Sequence, residues 1–492
     1  MTTAILPPEE ATKRFTMLPS DRYDLLILGG GSTGLVAADF ANALGAKVAL
    51  VDRSRLGGEC LYTGCVPSKA LLHCARLVAH ARRWSATGGD GHKSAVDFSA
   101  IMNSVRQAID EIYRRSDNPE RFISKGVDVA FGETRFVRHD RLSVNGKEIF
   151  ANRVFICTGS HPVIPSIAGL EQSDFLTNET VFNLPDLPSR LAILGGGPVG
   201  CELAQAFARL GAHVTILQRA DRLLPREDPA ASEVLRARLM AEEITIHTRA
   251  GVDAVERRGS ETVISAHVDG ATQEIVCDRL LIAVGRAPNV DGLGLDVAGV
   301  TADIRTGIVV DKGLRTSNPR VYAGGDVIGS YRFTHAAALH ARVAVRNALF
   351  LGASAVDQRV MPWATFTDPE IARVGLSEEE ARRRHGSSVR TFTQPFTEVD
   401  RAVTDEATDG FVKLVSTRGG GLLGAQIVGP GAGDYINELA LAMRQRLGLR
   451  ALANATHVYP TLTLAIQQAA GKYTMERLQR NLLLGLLRRR VR

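Results

Sequence analysis

The string GGGSTG, residues 29–34, lies between the apolar run YDLLIL (23–28) and the helical pattern LVAADFANALG (35–45), and a second apolar run, KVALVD, closes on Asp52. A strand, a glycine turn, a helix and a strand ending in an acid about 20 residues past the glycines is the context that a dinucleotide-binding turn requires. Gly29 permits the tight turn, Gly31 lets backbone approach a pyrophosphate, and Gly34 lets helix and strand pack closely. Phosphate charge then sits on the helix N-terminus, and Asp52 is placed to accept hydrogen bonds from a ribose. The pattern recurs as RLAIL, GGGPVG (195–200), CELAQAFARLG and HVTIL. Each copy converges on a further glycine, in CTGS (157–160) and in LLIAVGRAPN (280–289). Two nested copies predict an α/β fold with two Rossmann-like domains and two dinucleotides.

The two copies end differently. The first closes on Asp52, the second on Gln218 and Arg219, with Arg222 close behind. An acid there repels a 2′-phosphate and an arginine attracts it, so the second site leans towards NADPH over NADH.

GGECLYTGCVPSK, residues 57–69, carries the chemistry. Cys60 and Cys65 are four residues apart, Gly64 relaxes the backbone between them, and Pro67 suits the first turn of the helix that continues through Ala70, Leu71 and Leu72. Cys65 is thereby expected near a helix N-terminus, where a thiolate is favoured. The alternatives are two buried or two metal-binding cysteines. Nothing nearby completes four ligands, because His73 and Cys74 lie further along the same helix, and no metal site is expected. Cys74, Cys157, Cys201 and Cys277 read as small apolar groups.

These strings resemble the flavoprotein disulfide reductases, the class I pyridine nucleotide-disulfide oxidoreductases that include dihydrolipoyl dehydrogenase, glutathione reductase and mercuric reductase. The resemblance runs from about residue 23 to 472. It implies FAD and NADPH or NADH as cofactors, a C-terminal α+β dimerisation domain and a homodimer. The expected FAD contacts are Gly29, Gly31, Gly34, Asp52, Gly58, Thr158, Gly159 and Asp326, the last in the turn of VYAGGDVIG (321–329). Gly195, Gly197, Gly200, Arg219 and Gly285 are expected to hold NAD(P)H. It further implies a redox-active Cys60–Cys65 disulfide, with Cys65 against the flavin and Cys60 the exposed exchange thiol. Lys69 is implied near the flavin's reactive nitrogen, with Glu202 as its ion-pair partner.

At the C-terminal end the pattern breaks. In thiol-reducing members a His before Pro-Thr, followed by a Glu, supplies the acid/base from the partner subunit. In THVYPTLTLAIQQAAGKY, Tyr459 stands before Pro460-Thr461, Leu464 takes the Glu position, and His457 lies two residues earlier. Tyrosine, with a pKa near 10, is a poor base. Mercuric reductases also lack that histidine, but they carry a C-terminal cysteine pair, and no cysteine follows Cys277 here.

The expected domains are a leader (1–22), loose through residue 20, an FAD-binding domain in two parts (23–165 and 291–358), an NAD(P)-binding domain (166–290), a dimerisation domain (359–475) and a basic apolar tail (476–492). In the first part, residues 127–137, 141–145 and 148–157 read as strands, with Asn145-Gly146 as a tight turn. Of the net charge of +6, the tail's six Arg and one Glu carry five, so the body is balanced and nucleic acid is not an expected partner. No apolar run approaches the roughly 20 residues that span a bilayer. Six cysteines in 492 residues suggest a reducing, cytoplasmic setting rather than a secreted scaffold. The run of residues 482–487 before four arginines adds possible association with an anionic membrane surface. The expected activity is electron transfer from NAD(P)H through FAD and the cysteine pair to a small disulfide or related acceptor. The alternatives are reduction of a metal ion or a quinone, or a low-turnover flavin redox sensor.

Overall fold

The computed structural model describes residues 15–86, 88, 96–350, 352 and 354–480. They form two units, one built from residues up to 188 and 279–356, the other from 189–278 and 357 onwards.

In the first unit the run YDLLIL becomes strand β1 (Arg22–Leu28), helix α1 (Ser32–Ala43) follows the glycine turn, and β2 (Val48–Asp52) returns parallel to β1. Next come the short helix α2 (Gly58–Tyr62) and the long helix α3 (Cys65–Ala86). Strands β3 (Asp128–Phe131), β4 (Thr134–Arg138), β5 (Arg141–Val144) and β6 (Lys147–Ile156) complete the sheet in the order β3-β2-β1-β6-β5-β4, and strand Val321–Ala323 pairs parallel with β6. Strand β1 is apolar on both faces because both are covered. Leu25 and Ile27 pack with Ala37, Ala38 and Ala41 of α1 and with Ala341 and Ala344, while Leu26 and Leu28 pack with Leu142, Ile149 and Val300.

Two expectations change here. Residues 127–137 read as one strand, but the chain breaks at Gly132, where φ is +138° and the Asn145 side chain fills the place of a Cβ. As a result β3 joins β2, whereas β4 pairs with β5. The leader read as loose through residue 20. Residues 1–14 lie outside the described ones, but from Phe15 on the chain is fastened: Phe15 O accepts from Phe131 N at 2.7 Å and Leu18 is buried. The Asn145-Gly146 turn forms as expected, both residues at positive φ.

In the second unit the pattern repeats as β7 (Arg190–Leu194), α4 (Pro198–Leu210) and β8 (His213–Gln218), all strands parallel, with Thr245–Thr248 added to β8. A three-stranded antiparallel sheet spans residues 251–277. From Asp357 on, five antiparallel strands pack against helices Ala432–Arg444 and Leu464–Arg480. Among the described residues no helix is long and apolar enough to cross a membrane. Most of the basic tail, from residue 481, lies outside the described residues.

Both copies require the last glycine of the turn. A Cβ on Gly34 would stand 1.8 Å from Gly29 O, and one on Gly200 would stand 1.9 Å from Gly195 O. Overpacking of this kind costs about 1–3 kcal/mol. Gly34→Ala is therefore expected to lower the melting temperature by a few degrees, while Gly471→Ala, whose Cβ meets open space, leaves it unchanged or higher. Thermal melts of the two variants check this.

Candidate functional site

The cysteine string folds as two consecutive helices because Gly57 and Gly58 take positive φ, which lets α2 begin directly after the turn that follows β2. Cys60 lies within α2 and Cys65 is the first residue of α3, at the helix N-terminus. Neither is joined in a disulfide.

Two hydroxyls converge on Cys60. Thr334, the first residue of helix Thr334–Leu349, donates through Oγ1 to Cys60 Sγ at 3.1 Å and lies 3.4 Å from Cys65 Sγ. Ser32, the first residue of α1, also hydrogen-bonds Cys60. The two helices pack against each other, so their N-termini open on the same sulfur. The Cys60 thiol is pushed up, first by its hydrogen bond with Cys65, then by burial and by charge on Cys65. Cys60 thus holds its proton more tightly than an ordinary thiol. Cys65 is exposed, and α2 places Cys60, half-buried, beneath the two hydroxyls.

Beside the pair, Glu59 is ion-paired with Arg286 and accepts from Asn178 Nδ2 at 3.0 Å. Arg286 donates from Nε to Ser160 Oγ at 2.9 Å, and Ser160 donates to Asp326 at 2.7 Å. Burial pushes the Glu59 carboxyl up to about 7 against the pull of Arg286, with Asp326, Cys65 and Glu179 adding to the rise. The two convergence strings meet here, since Ser160–Pro162 and Arg286–Pro288 pair antiparallel, and Thr158 and Asn289 exchange hydrogen bonds at 2.7 and 2.8 Å. Gly159 and Gly285 bend these strings at positive φ.

Both glycine turns fit a dinucleotide phosphate. Helices α1 and α4 begin at Gly31 and Gly197 with no side-chain cap and no acid in the first turn. A Cβ on Gly197 would meet nothing within 4 Å, and Gly31 and Gly58 face each other so closely that a Cβ on Gly58 would come within 2.6 Å of Gly31 Cα. Asp52 accepts from Gly30 N at 2.7 Å and from the amides of Ser54 and Arg55. In the second copy Gln218 takes the equivalent place, accepting from Gly196 N at 3.0 Å. Arg219 beyond it is exposed, and Arg222 is turned to Asp221 and Pro225 O.

Lys69 is half-buried on α3 of the first unit, and Glu202, buried on α4 of the second, accepts from Phe366 N at 2.8 Å. Glu438 lies 3.1 Å from His457 Nε2 and Ala455 O lies 3.1 Å from its Nδ1. Glu438 supplies the carboxylate that Leu464 does not. Tyr459 is exposed and donates its hydroxyl to Asp400 at 3.0 Å, which raises its pKa. Cys157, Cys201 and Cys277 are buried as expected, while Cys74 is half-buried. Sequence reasoning missed Ser32, Glu59, Asn178, Arg286 and Thr334. Of these, Ser32, Glu59 and Arg286 stood inside strings already singled out.

Comparison with known proteins agrees with this geometry. Residues 23–341 match the family model described as pyridine nucleotide-disulphide oxidoreductase, and residues 361–470 match the dimerisation domain of the same family. A mercuric reductase from Staphylococcus aureus is 35% identical over 91% of this chain and 82% of its own length. A dihydrolipoyl dehydrogenase from Bacillus subtilis is 33% identical over 92% and 95%. Among solved structures, the HOCl-induced flavoprotein disulfide reductase RclA from Escherichia coli matches with a TM-score of 0.80 and 29% identity, over 91% of this chain and 99% of that one.

A hydrogen bond to a charged group contributes about 1.5–3 kcal/mol. Thr334→Val is accordingly expected to move the pH midpoint for alkylation of the reduced pair upward by about one unit. Iodoacetamide rates followed by mass spectrometry check this; an unmoved midpoint would leave the hydroxyl only a structural part.

Proposed function

Because the chain belongs to the pyridine nucleotide-disulphide oxidoreductase family, we propose that it carries electrons from NADPH through FAD to a Cys60–Cys65 disulfide and on to a small disulfide or a related electrophilic acceptor. Its cofactors are FAD and NAD(P)H. When bound, FAD accepts a hydride from NAD(P)H and passes two electrons to sulfur. The observation that carries the reading is the hydroxyl of Thr334 shared between two thiols, one of them at a helix N-terminus.

The chain's own residues divide the work as follows. Gly29, Gly31, Gly34 and Gly58 present backbone to the flavin nucleotide, with Asp52 bracing the turn and Asp326 and Gly159 on the ribityl side. Gly195, Gly197 and Gly200 do the same for the nicotinamide nucleotide, and Arg219 meets the 2′-phosphate. Cys65 takes the charge and Cys60 keeps the proton, with Ser32 and Thr334 donating to the sulfur. Lys69 and Glu202 complete the charge balance. Tyr459, held by Asp400 and raised in pKa by it, is a poor base in the place before Pro460-Thr461, so slow turnover of lipoamide and glutathione disulfide is expected. A homodimer formed through the C-terminal domain is part of the proposal.

A second reading, reduction of a soft metal ion such as Hg(II), is favoured by the relatives named mercuric reductase and by two sulfurs placed about one hydroxyl. Steady-state NADPH oxidation with aromatic disulfides, lipoamide, quinones and Hg(II) as acceptors separates the two. Cys60→Ser is expected to lose disulfide reduction by at least about 100-fold while flavin reduction by NADPH persists; retained disulfide turnover would overturn the dithiol route. Arg219→Ala is expected to raise KM for NADPH about tenfold with little change for NADH, since a free guanidinium recognises phosphate; equal effects on both would remove its role.

A further inference from the structure

Glu59 directly precedes Cys60 on α2, yet nothing in the disulfide cycle proposed above uses it. Its surroundings are charged from every side. Arg286 and Asn178 hold its two oxygens, Arg332 donates to the Arg286 carbonyl, Asp326 lies beyond Ser160, and Glu179, Cys60 and Cys65 complete the cluster. A half-buried carboxyl beside both a guanidinium and a sulfur that becomes anionic is balanced between its two protonation states.

Resting on that disulfide cycle, we infer that Glu59 is its proton-linked partner: it binds a proton when the Cys60–Cys65 bond is reduced and releases it when the bond re-forms. The step balances. The S–S bond takes up two electrons and two protons, giving a Cys60 thiol, a Cys65 thiolate and a neutral Glu59 carboxyl. A hydride from NAD(P)H brings both electrons and one proton, and solvent supplies the other.

The sign follows from the charges. Thiolate charge on Cys65 disfavours the Glu59 carboxylate, so reduction raises its pKa and re-oxidation lowers it. Burial is the first cause of the rise of that carboxyl to about 7, and charge on Cys65 adds to it after Asp326; with the dithiol present the extra proton is held below about pH 7 and lost above it. Asn178, which donates to the charged form, holds that threshold down. Glu59 therefore acts through the sulfur pair as a positioning residue, making the pair easier to reduce as pH falls.

The test is the midpoint potential of the thiol pair in the full-length FAD-loaded protein, equilibrated in dithiothreitol redox buffers from pH 6 to 8.5 and read as alkylated Cys60 and Cys65 by mass spectrometry. One proton per electron pair changes the potential by 29.6 mV for each tenfold change in proton concentration. The wild-type protein is expected to show one additional proton per electron pair below pH 7 and to lose it above pH 8. Glu59→Gln should show a single proton throughout, and Asn178→Ala should move the break to higher pH. A wild-type slope of one proton across the range, or a break that Glu59→Gln leaves in place, overturns the inference while the disulfide cycle stands. If no couple between Cys60 and Cys65 titrates at all, the cycle falls and the inference with it. Should Glu59→Gln lose its flavin, the wild-type slope and the Asn178→Ala break decide the matter: an unmoved break overturns the proton link.

Discussion

Thr334 Oγ1 reaches two sulfurs that belong to different helices, and the first unit is arranged so that it does. Cys60 is fixed by α2, Cys65 by the start of α3, and Thr334 by a helix almost three hundred residues later that packs on α1. Helix α1 can lie where it does only because Gly34 lets it touch the turn at Gly29. The glycines proposed to admit a phosphate therefore also set the position of the helix whose first hydroxyl, Ser32, meets Cys60. In that proposal nucleotide binding and thiol chemistry share one piece of backbone.

Charge placement adds a second layer. A carboxyl, a guanidinium, an amide and a hydroxyl run from Glu59 through Arg286 to Ser160 and Asp326. Half-buried charges of this kind are stabilised when paired and hydrogen-bonded. The pairing ties the cysteine string to both convergence strings.

Much of this was legible in the sequence. The glycine turns, the strands on either side and the acid at Asp52 follow from local patterns, since apolar runs buried on both faces and glycines forced by backbone contact leave direct marks. The cysteine pair and its helix N-terminus were readable for the same reason. Residues 127–137 misled because two adjacent strands have the same apolar character and only a glycine at positive φ separates them. Thr334 and Arg286 were not readable as site residues, because their partners lie 274 and 227 positions away and nothing local to them records the meeting. Glu59 stood in the cysteine string, but its partners Arg286 and Asn178 lie 227 and 119 positions away. The carboxylate of Glu438 was missed because it comes from an earlier helix and not from the position where a Glu was expected.

The central claim is that Cys60 and Cys65 open and close a bond under the control of a nicotinamide nucleotide. The most direct measurement is differential alkylation of the air-oxidised, flavin-loaded protein, with each cysteine quantified by peptide mass before and after one equivalent of NADPH under argon. Cys60 and Cys65 should be blocked before addition and both labelled after it, while the buried Cys157, Cys201 and Cys277 stay unchanged. Labelling of Cys60 and Cys65 that is the same with and without NADPH would contradict the claim.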